Sequence, residues 1–170
     1  MKVRESRVPV AVLREWLSYD AETGALHWRK GKKKVSVGNR AGYLAMQGHR
    51  VVKVEKSRFY AHRIAWAIHY GEWPPDDSDV DHINGNKDDN SIRNLRLASR
   101  AQNLHNQKRN SRNTSGVKGV CWNKREKKWM AQIRHNGARV TIGYYRDLGE
   151  AAKAYRAAAI RYHGQFANFG

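Results

Sequence analysis

The run Asp81-His82-Ile83-Asn84-Gly85-Asn86-Lys87-Asp88-Asp89-Asn90-Ser91-Ile92-Arg93-Asn94-Leu95-Arg96, followed by Gln102-Asn103, decides the reading of this chain. It sets a carboxylate beside an imidazole and returns to carboxamides at Asn94 and Asn103. An imidazole titrating near neutrality can take a proton from water. Carboxylate and carboxamide oxygens are hard ligands that leave positions open on a divalent ion. In a regular strand Asp81 and His82 point to opposite faces. The arrangement therefore needs a strand end or a bend, which Gly85 can help to provide. Two blander readings compete. Asp- and Asn-rich text can simply cap its own turns. A calcium loop read from Asp79 fails its template, with Ile83 fifth, Asn84 in place of the sixth-position glycine, and Asn90 twelfth.

The surrounding composition says what such a site would meet. The chain has 170 residues and a net charge of +18, an excess that points to a polyanion, most often nucleic acid. A membrane is the weaker partner: no apolar run approaches the ~18 residues of a spanning helix, and no signal peptide is recognised at the start. Cys121 is the only cysteine. It excludes a disulfide within the chain and a cysteine-type zinc site, and it fits a reducing compartment. A catalytic ion must then use oxygen and imidazole ligands, which favours Mg²⁺ or Mn²⁺. The charge is uneven. Residues 1–103 hold 19 Lys and Arg against 12 Asp and Glu, and residues 104–170 hold 14 against 3.

Outward from the central run, Pro9 to Leu17 reads as a helix with Pro9 at its first position and Leu13, Trp16 and Leu17 on one face. Ala25 to Arg29 reads as a strand, and Lys30–Lys34 as a basic loop. Tyr43–Met46 and Val51–Val54 read as a hairpin. Phe59 to Tyr70 reads as a helix stopped by Gly71, with Pro74 and Pro75 beyond. Residues 76–98 read as polar and irregular. Ser99 to Gln102 is a capping-box pattern, so a helix starting there should carry Asn103. Residues 105–116, poor in apolar groups, read as a linker. Val117–Trp122, Trp129–Arg134 and Arg139–Gly143 follow as three strands, with Asn136-Gly137 as a hairpin turn. Leu148 to Tyr162 is an alanine-rich helix with Ala152, Tyr155, Ala159 and Tyr162 on one face.

The run DHINGNKDDNSIRNLR (81–96), the following Gln102-Asn103, and AHRIAWAIHYGEWP (61–74) together resemble an HNH homing endonuclease. The resemblance implies two strands packed on a helix around one metal ion. It implies His82 as the general base, Asp81 and Asn103 as metal ligands, and Asn94 as the brace of the loop carrying the histidine. Asn103 stands where the third letter of the motif is histidine. The implied products are a 5′-phosphate and a 3′-hydroxyl. Arg63, Arg93, Arg96 and Arg100 are candidate phosphate clamps. Asn84, Asn86 and Asn90 read as turn formers, His62 as a packed helix residue, and Trp66 and Trp73 as packing. His105 and Asn106 are candidates to support the site from one turn beyond Asn103.

The C-terminal part carries a second resemblance. SGVKGVCW, KKWMAQIR, GARVTIGYY and EAAKAYRAAAIRYHGQFANF, in that order, resemble an APETALA2-type (ethylene-response-factor) DNA-binding domain. Independently of it, Trp129, Ala131 and Ile133 alternate with Lys128, Met130, Gln132 and Arg134, which gives one packed and one polar face. Val140 and Ile142 face inward, and Arg139 and Thr141 outward. Such a ribbon fits the major groove of double-stranded DNA. The resemblance implies Lys118, Trp122, Lys124, Gln132, Arg134, Arg139 and Thr141 as the DNA-binding positions. Gln132 and Thr141 depart from the plant pattern, where Glu and Trp are usual.

The expected fold is α+β: an N-terminal helix and antiparallel strands (1–58) that contact DNA through Lys30–Lys34, Arg40, Arg50 and Lys53, an HNH ββα-metal nuclease module (59–108), a basic linker (109–115), and a three-stranded antiparallel sheet packed on one helix (116–170). The expected function is a site-specific homing DNA endonuclease, nicking as a monomer in the cytoplasm of a phage-infected or intron-bearing bacterial cell. A non-enzymatic sequence-specific DNA-binding regulator is the alternative. An RNA-binding protein is disfavoured by the lack of a stacked aromatic platform.

Overall fold

Proline cannot donate a backbone hydrogen bond, so it suits the edge of a helix. Pro9 is the residue before α1 (Val10–Trp16), and its carbonyl accepts from Val12 and Leu13. In the computed structural model, which describes residues 8–31, 35–100, 102–103 and 113–169, the chain forms two compact units, Met1–Ser99 and Arg100–Gly170. Leu17 is not helical. It opens β1 (Leu17–Tyr19), which pairs antiparallel with β2 (Leu26–Trp28). Asp20 sets the turn between them, its carboxylate accepting from Glu22 N, Thr23 N and the Thr23 hydroxyl.

A second antiparallel sheet follows in the order β3 (Tyr43–Leu44), β4 (Arg50–Val54), β5 (Ser57–Tyr60). β5 corrects the sequence reading, which began a helix at Phe59. Phe59 and Tyr60 pair with Val52 and Val51, and α2 covers only Ala61–Tyr70. That helix ends at Gly71, whose φ is 84° and whose N–H reaches Ala67 O at 2.9 Å. The left-handed cap and the prolines beyond are an ordinary stop signal.

The segment read as irregular contains a hairpin. β6 (Asp79–His82) pairs with β7 (Leu95–Ala98), with Asp81 opposite Arg96 and His82 opposite Leu95. Its sequence hides the strands because β6 buries Asp81 and His82 beside Val80. Val80, Leu95 and Ala65 of α2 form a small apolar cluster. The main core of this unit lies on another side of α2, where Ile64, Ala61 and Ala67 meet Leu13, Leu17, Leu26, Trp28 and Val52. One helix thus supports both the core and the hairpin.

The second unit is a sheet of order β10 (Ala138–Tyr145), β9 (Lys128–His135), β8 (Val120–Asn123), with α3 (Leu148–His163) packed on one face. Asp147 caps α3 by accepting from Glu150 N at 2.9 Å. The buried stripe of α3 is Ala151, Tyr155, Ala158 and Ala159, with Ala152 half-buried. Small alanines let the helix lie close to the sheet. Gly119, at φ 73°, is closer still: a Cβ there would collide with the Tyr155 ring. Asn113 and Ser115, read as linker, are built into this unit. Asn113 Nδ2 donates to Val117 O and Val120 O, and Ser115 Oγ donates to Val120 O at 2.7 Å. Residues 105–112 of the expected linker, His105 and Asn106 among them, and most of the basic run Lys30–Lys34 lie outside the described residues. Among the described residues no helix is long and apolar enough to cross a membrane.

Candidate active site

His82 is the last residue of β6 and Asp81 the one before it, both nearly buried at 4% and 6% exposure. The strand end that their chemistry calls for is present. Gly85, at φ 70°, closes a turn with its N–H on His82 O. Asp81 is on the side of Arg96, whose Nε and Nη2 both donate to Oδ2 at 3.0 and 2.9 Å. Arg96 is therefore committed to an internal carboxylate, not to a phosphate clamp.

His82 faces Asn90. Its Nε2 lies 3.0 Å from Asn90 Oδ1, while Asn90 Nδ2 donates to Asp88 O at 3.4 Å. The amide oxygen accepts, so the imidazole proton sits on Nε2 and the lone pair on Nδ1. Burial pushes the imidazole below its ordinary pKa, against the upward pull of Asn90, Asp81 and Asp89. The ring is thus oriented and neutral near pH 7. Sequence reasoning missed Asn90, which looked like its neighbours. Asn84 and Asn86 do form turns, each accepting from the backbone N–H two residues on. Asn90 alone of the three is buried.

Asn94 ties the loop between β6 and β7 together. Its Nδ2 donates to Asp89 O at 2.7 Å and its Oδ1 accepts from Asn84 N at 3.0 Å. The loop is also held from outside. Tyr19 OH donates to Asn90 O at 2.8 Å, and Ile92 N donates to Ala21 O. Gly24, at φ 74°, lets the β1–β2 turn press against the backbone of Asn90 and Ser91, where a Cβ would collide. Arg50 grips Asp88 through Nε at 2.8 Å and Nη2 at 3.1 Å, holding that carboxylate below its usual range. Arg40 also reaches Asp88, at 3.4 Å. Both arginines were expected on phosphates; here they fasten the loop to β4 and its surroundings.

Two more histidines adjoin His82. His62 of α2 is 6% exposed, with its ring centroid 5.0 Å from that of His82. His49, just before β4, lies 5.1 Å from His62 and 5.8 Å from His82. Among the described residues, the Nδ1 atoms of His49 and His62 are buried without a hydrogen-bond partner. A buried polar atom left unpaired costs about 1–3 kcal/mol, so each calls for an explanation. Burial pushes His49 down to about 4 and His62 well below the usual imidazole range. No sequence signal announces this cluster, since its members come from three separate elements.

Asn103 belongs to the second unit, in a helical stretch that also includes Arg100 and Gln102 and follows the non-helical Ser99. In the sheet of that unit, Gln132 stands opposite Thr141, and Arg134 opposite Arg139. These four share the face turned away from α3. Directly opposed like charges destabilise a sheet, so the Arg134–Arg139 pair suits a surface that meets an anion. Trp122 is elsewhere. It stands opposite Trp129 with their rings 5.1 Å apart, on the helix side of the sheet, half-exposed. Lys118 precedes β8 and is half-buried, and Lys124 follows β8 and is exposed.

Residues 59–105 match the family of HNH endonucleases, and residues 115–165 match the AP2 domain. Over 90 residues, 53% of its length, the chain is 37% identical to Protein 3.8 of Escherichia phage T7 and covers 74% of it. Over 125 residues, 74% of its length, it is 32% identical to an uncharacterized HNH endonuclease of Acanthamoeba polyphaga mimivirus and covers 64% of that protein. No solved structure matches the chain.

Proposed function

Because the chain belongs to the HNH endonucleases and carries an AP2 DNA-binding domain, we propose that it is a site-specific DNA endonuclease of the homing type, which nicks double-stranded DNA as a monomer. The observation that carries this reading is the His82–Asn90 contact. A buried, neutral imidazole whose proton is held on Nε2 presents Nδ1 as a base toward water. Asn94 keeps the loop shaped so that Asn90 stays under the ring. Hydrolysis of this kind leaves a 5′-phosphate and a 3′-hydroxyl.

The family implies one divalent ion, and Asp81 fits that role. It is a nearly buried hard anion beside the base, and its Oδ2 is held by two arginine hydrogen bonds, as metal-ligating carboxylates usually are. Asp81 and Asn103 would hold Mg²⁺ or Mn²⁺, following the family pattern. Bound there, the ion would relieve charge on the phosphate and the leaving oxygen. Residues 59–108 are then the cutter, and the reader of the expected 116–170 extends back over Asn113 and Ser115, which shortens the expected linker 109–115 to 109–112. Lys118, Lys124, Gln132, Arg134, Arg139 and Thr141 would meet DNA, with Trp122 reaching it from the other side of the sheet edge. One centre cuts one strand, hence nicking. The phage and giant-virus relatives suit an enzyme acting in the cytoplasm of an infected cell.

The test is supercoiled plasmid incubated with Mg²⁺ or Mn²⁺, with and without chelator. Wild type should nick only with metal. His82→Ala should lower the rate about 10²–10⁴-fold and leave DNA affinity within a few fold. If wild type binds DNA but nicks with neither metal, the protein is a regulator and the enzyme reading fails.

A further inference from the structure

His49, His62 and His82 come from the approach to β4, the first turn of α2 and the end of β6, and each offers a ring nitrogen within 4.8 Å of the others. We propose that these three histidines form a binding site for one borderline transition-metal ion, with Zn²⁺ as the reference, and that filling it shuts the nuclease off. Three observations converge. The ligand atoms are already gathered. Among the described residues, the Nδ1 atoms of His49 and His62 are buried with no hydrogen-bond partner, so an ion bound through them would give them one. His62, at 6% exposure, touches both other rings and leaves the ion a sheltered floor. Ring packing alone accounts for the stacked contacts, including Tyr60 on His62, but not for two orphaned nitrogens.

The donor set chooses the ion. Three imidazoles suit Zn²⁺, Ni²⁺ or Cu²⁺ and are poor partners for Mg²⁺ or Ca²⁺. The site is therefore chemically separate from the hard-ion position proposed at Asp81. Nitrogens around a tetrahedral zinc at 2.0–2.1 Å lie roughly 3.3 Å apart. The rings must turn inward slightly, a soft motion for an imidazole. Three protein ligands leave the fourth position open.

The consequence follows from sharing. A metal-bound imidazole nitrogen has no lone pair for water. Ligation by His82 would cost the ring its role as a base, and His49 and His62 would pin it. This inhibitory half rests on the general-base reading of His82; the binding half does not.

The experiment uses the full chain. Equilibrium dialysis against Zn²⁺, and visible absorption with Co²⁺ as the spectroscopic substitute, should give one ion per chain with the bands of a tetrahedral nitrogen site. His49→Gln and His62→Gln should each weaken binding at least about tenfold, the scale on which even outer-shell partners act. His49 is half-exposed, so its variant tests the site even if His62→Gln fails to fold. Mg²⁺-supported nicking by wild type should stop near one equivalent of Zn²⁺, and His49→Gln should nick normally and need at least about tenfold more. No stoichiometric binding, or unchanged binding in both variants, would overturn the site. Equal zinc inhibition of wild type and His49→Gln would overturn the switch. Binding that both variants weaken, in a chain that never nicks, would uphold the site and remove the general-base reading instead.

Discussion

The two units treat their arginines in opposite ways. In the first, Arg96 grips Asp81 and Arg50 grips Asp88, both with side chains mostly out of water. In the second, Arg134 faces Arg139 across the sheet, both exposed. The composition already leans this way, with 12 acidic residues in positions 1–103 and only 3 beyond. A cation matched inside the fold shapes the site, and a cation set against another cation waits for an external anion. The nuclease half spends much of its charge on its own geometry, and the DNA-binding half turns its charge outward.

The comparison breaks most visibly if one internal arginine is removed. Arg96→Met removes two hydrogen bonds from the buried Asp81 carboxylate, and breaking a buried ion pair from one side costs about 3–5 kcal/mol. Hydrogen exchange in β6 and β7 should speed up accordingly, and nicking should fall with it. The equivalent Arg134→Met should change stability by no more than about 0.5 kcal/mol. Equal effects at the two positions would erase the distinction.

Next in size is Asn90→Ala. The loop keeps Asn94 and its anchors to Tyr19 and Ala21, but the imidazole loses the acceptor that fixes its tautomer. The nicking rate should fall roughly 10–100-fold with the DNA affinity unchanged. A rate within twofold of wild type would show that the ring is oriented by something else.

These two residues also show how far the sequence could be read. Asp81, His82 and Asn94 stand out because residue type and spacing agree with a known chemistry. The β8–β10 sheet is legible because Trp129, Ala131 and Ile133 alternate with polar neighbours. β6 is not, since a strand that buries Asp81 and His82 offers no apolar alternation. β5 is hidden because Phe59 and Tyr60 run straight into the helical pattern of α2. Asn90 resembles Asn84 and Asn86 by type, and only the fold turns it inward under His82. Arg50 and Arg96 look like phosphate contacts because a sequence does not show which carboxylate stands opposite. His49 carries no signal at all, since its neighbours at His62 and His82 arrive by tertiary packing.

The outward-facing side of the comparison is sharpened by salt. Each phosphate contact removed should lower the slope of log affinity against log salt by about 1. Arg134→Ala with Arg139→Ala should therefore reduce it by about 2, and should slightly stabilise the sheet by removing the opposed charges. Gel-shift titrations between 50 and 200 mM salt, a range of the kind over which such slopes are read, check the slope. An unchanged slope would place DNA on another surface of the unit.

The smallest effect concerns Lys118, where the contrast between buried and exposed cations meets in one side chain. Burial pushes its ammonium down to about 8. The proton is therefore bound at pH 7 and lost as pH rises through 8, and a neutral amine no longer attracts phosphate. DNA contact favours the charged form, so binding above pH 8 must first restore the proton. One unit above the pKa that costs about 1.4 kcal/mol, which caps the loss near tenfold between pH 7 and pH 9. Lys118→Arg keeps its charge over the whole range and should show a flat profile. Parallel profiles for the two proteins, measured at one ionic strength, would mean that Lys118 does not touch the backbone of DNA.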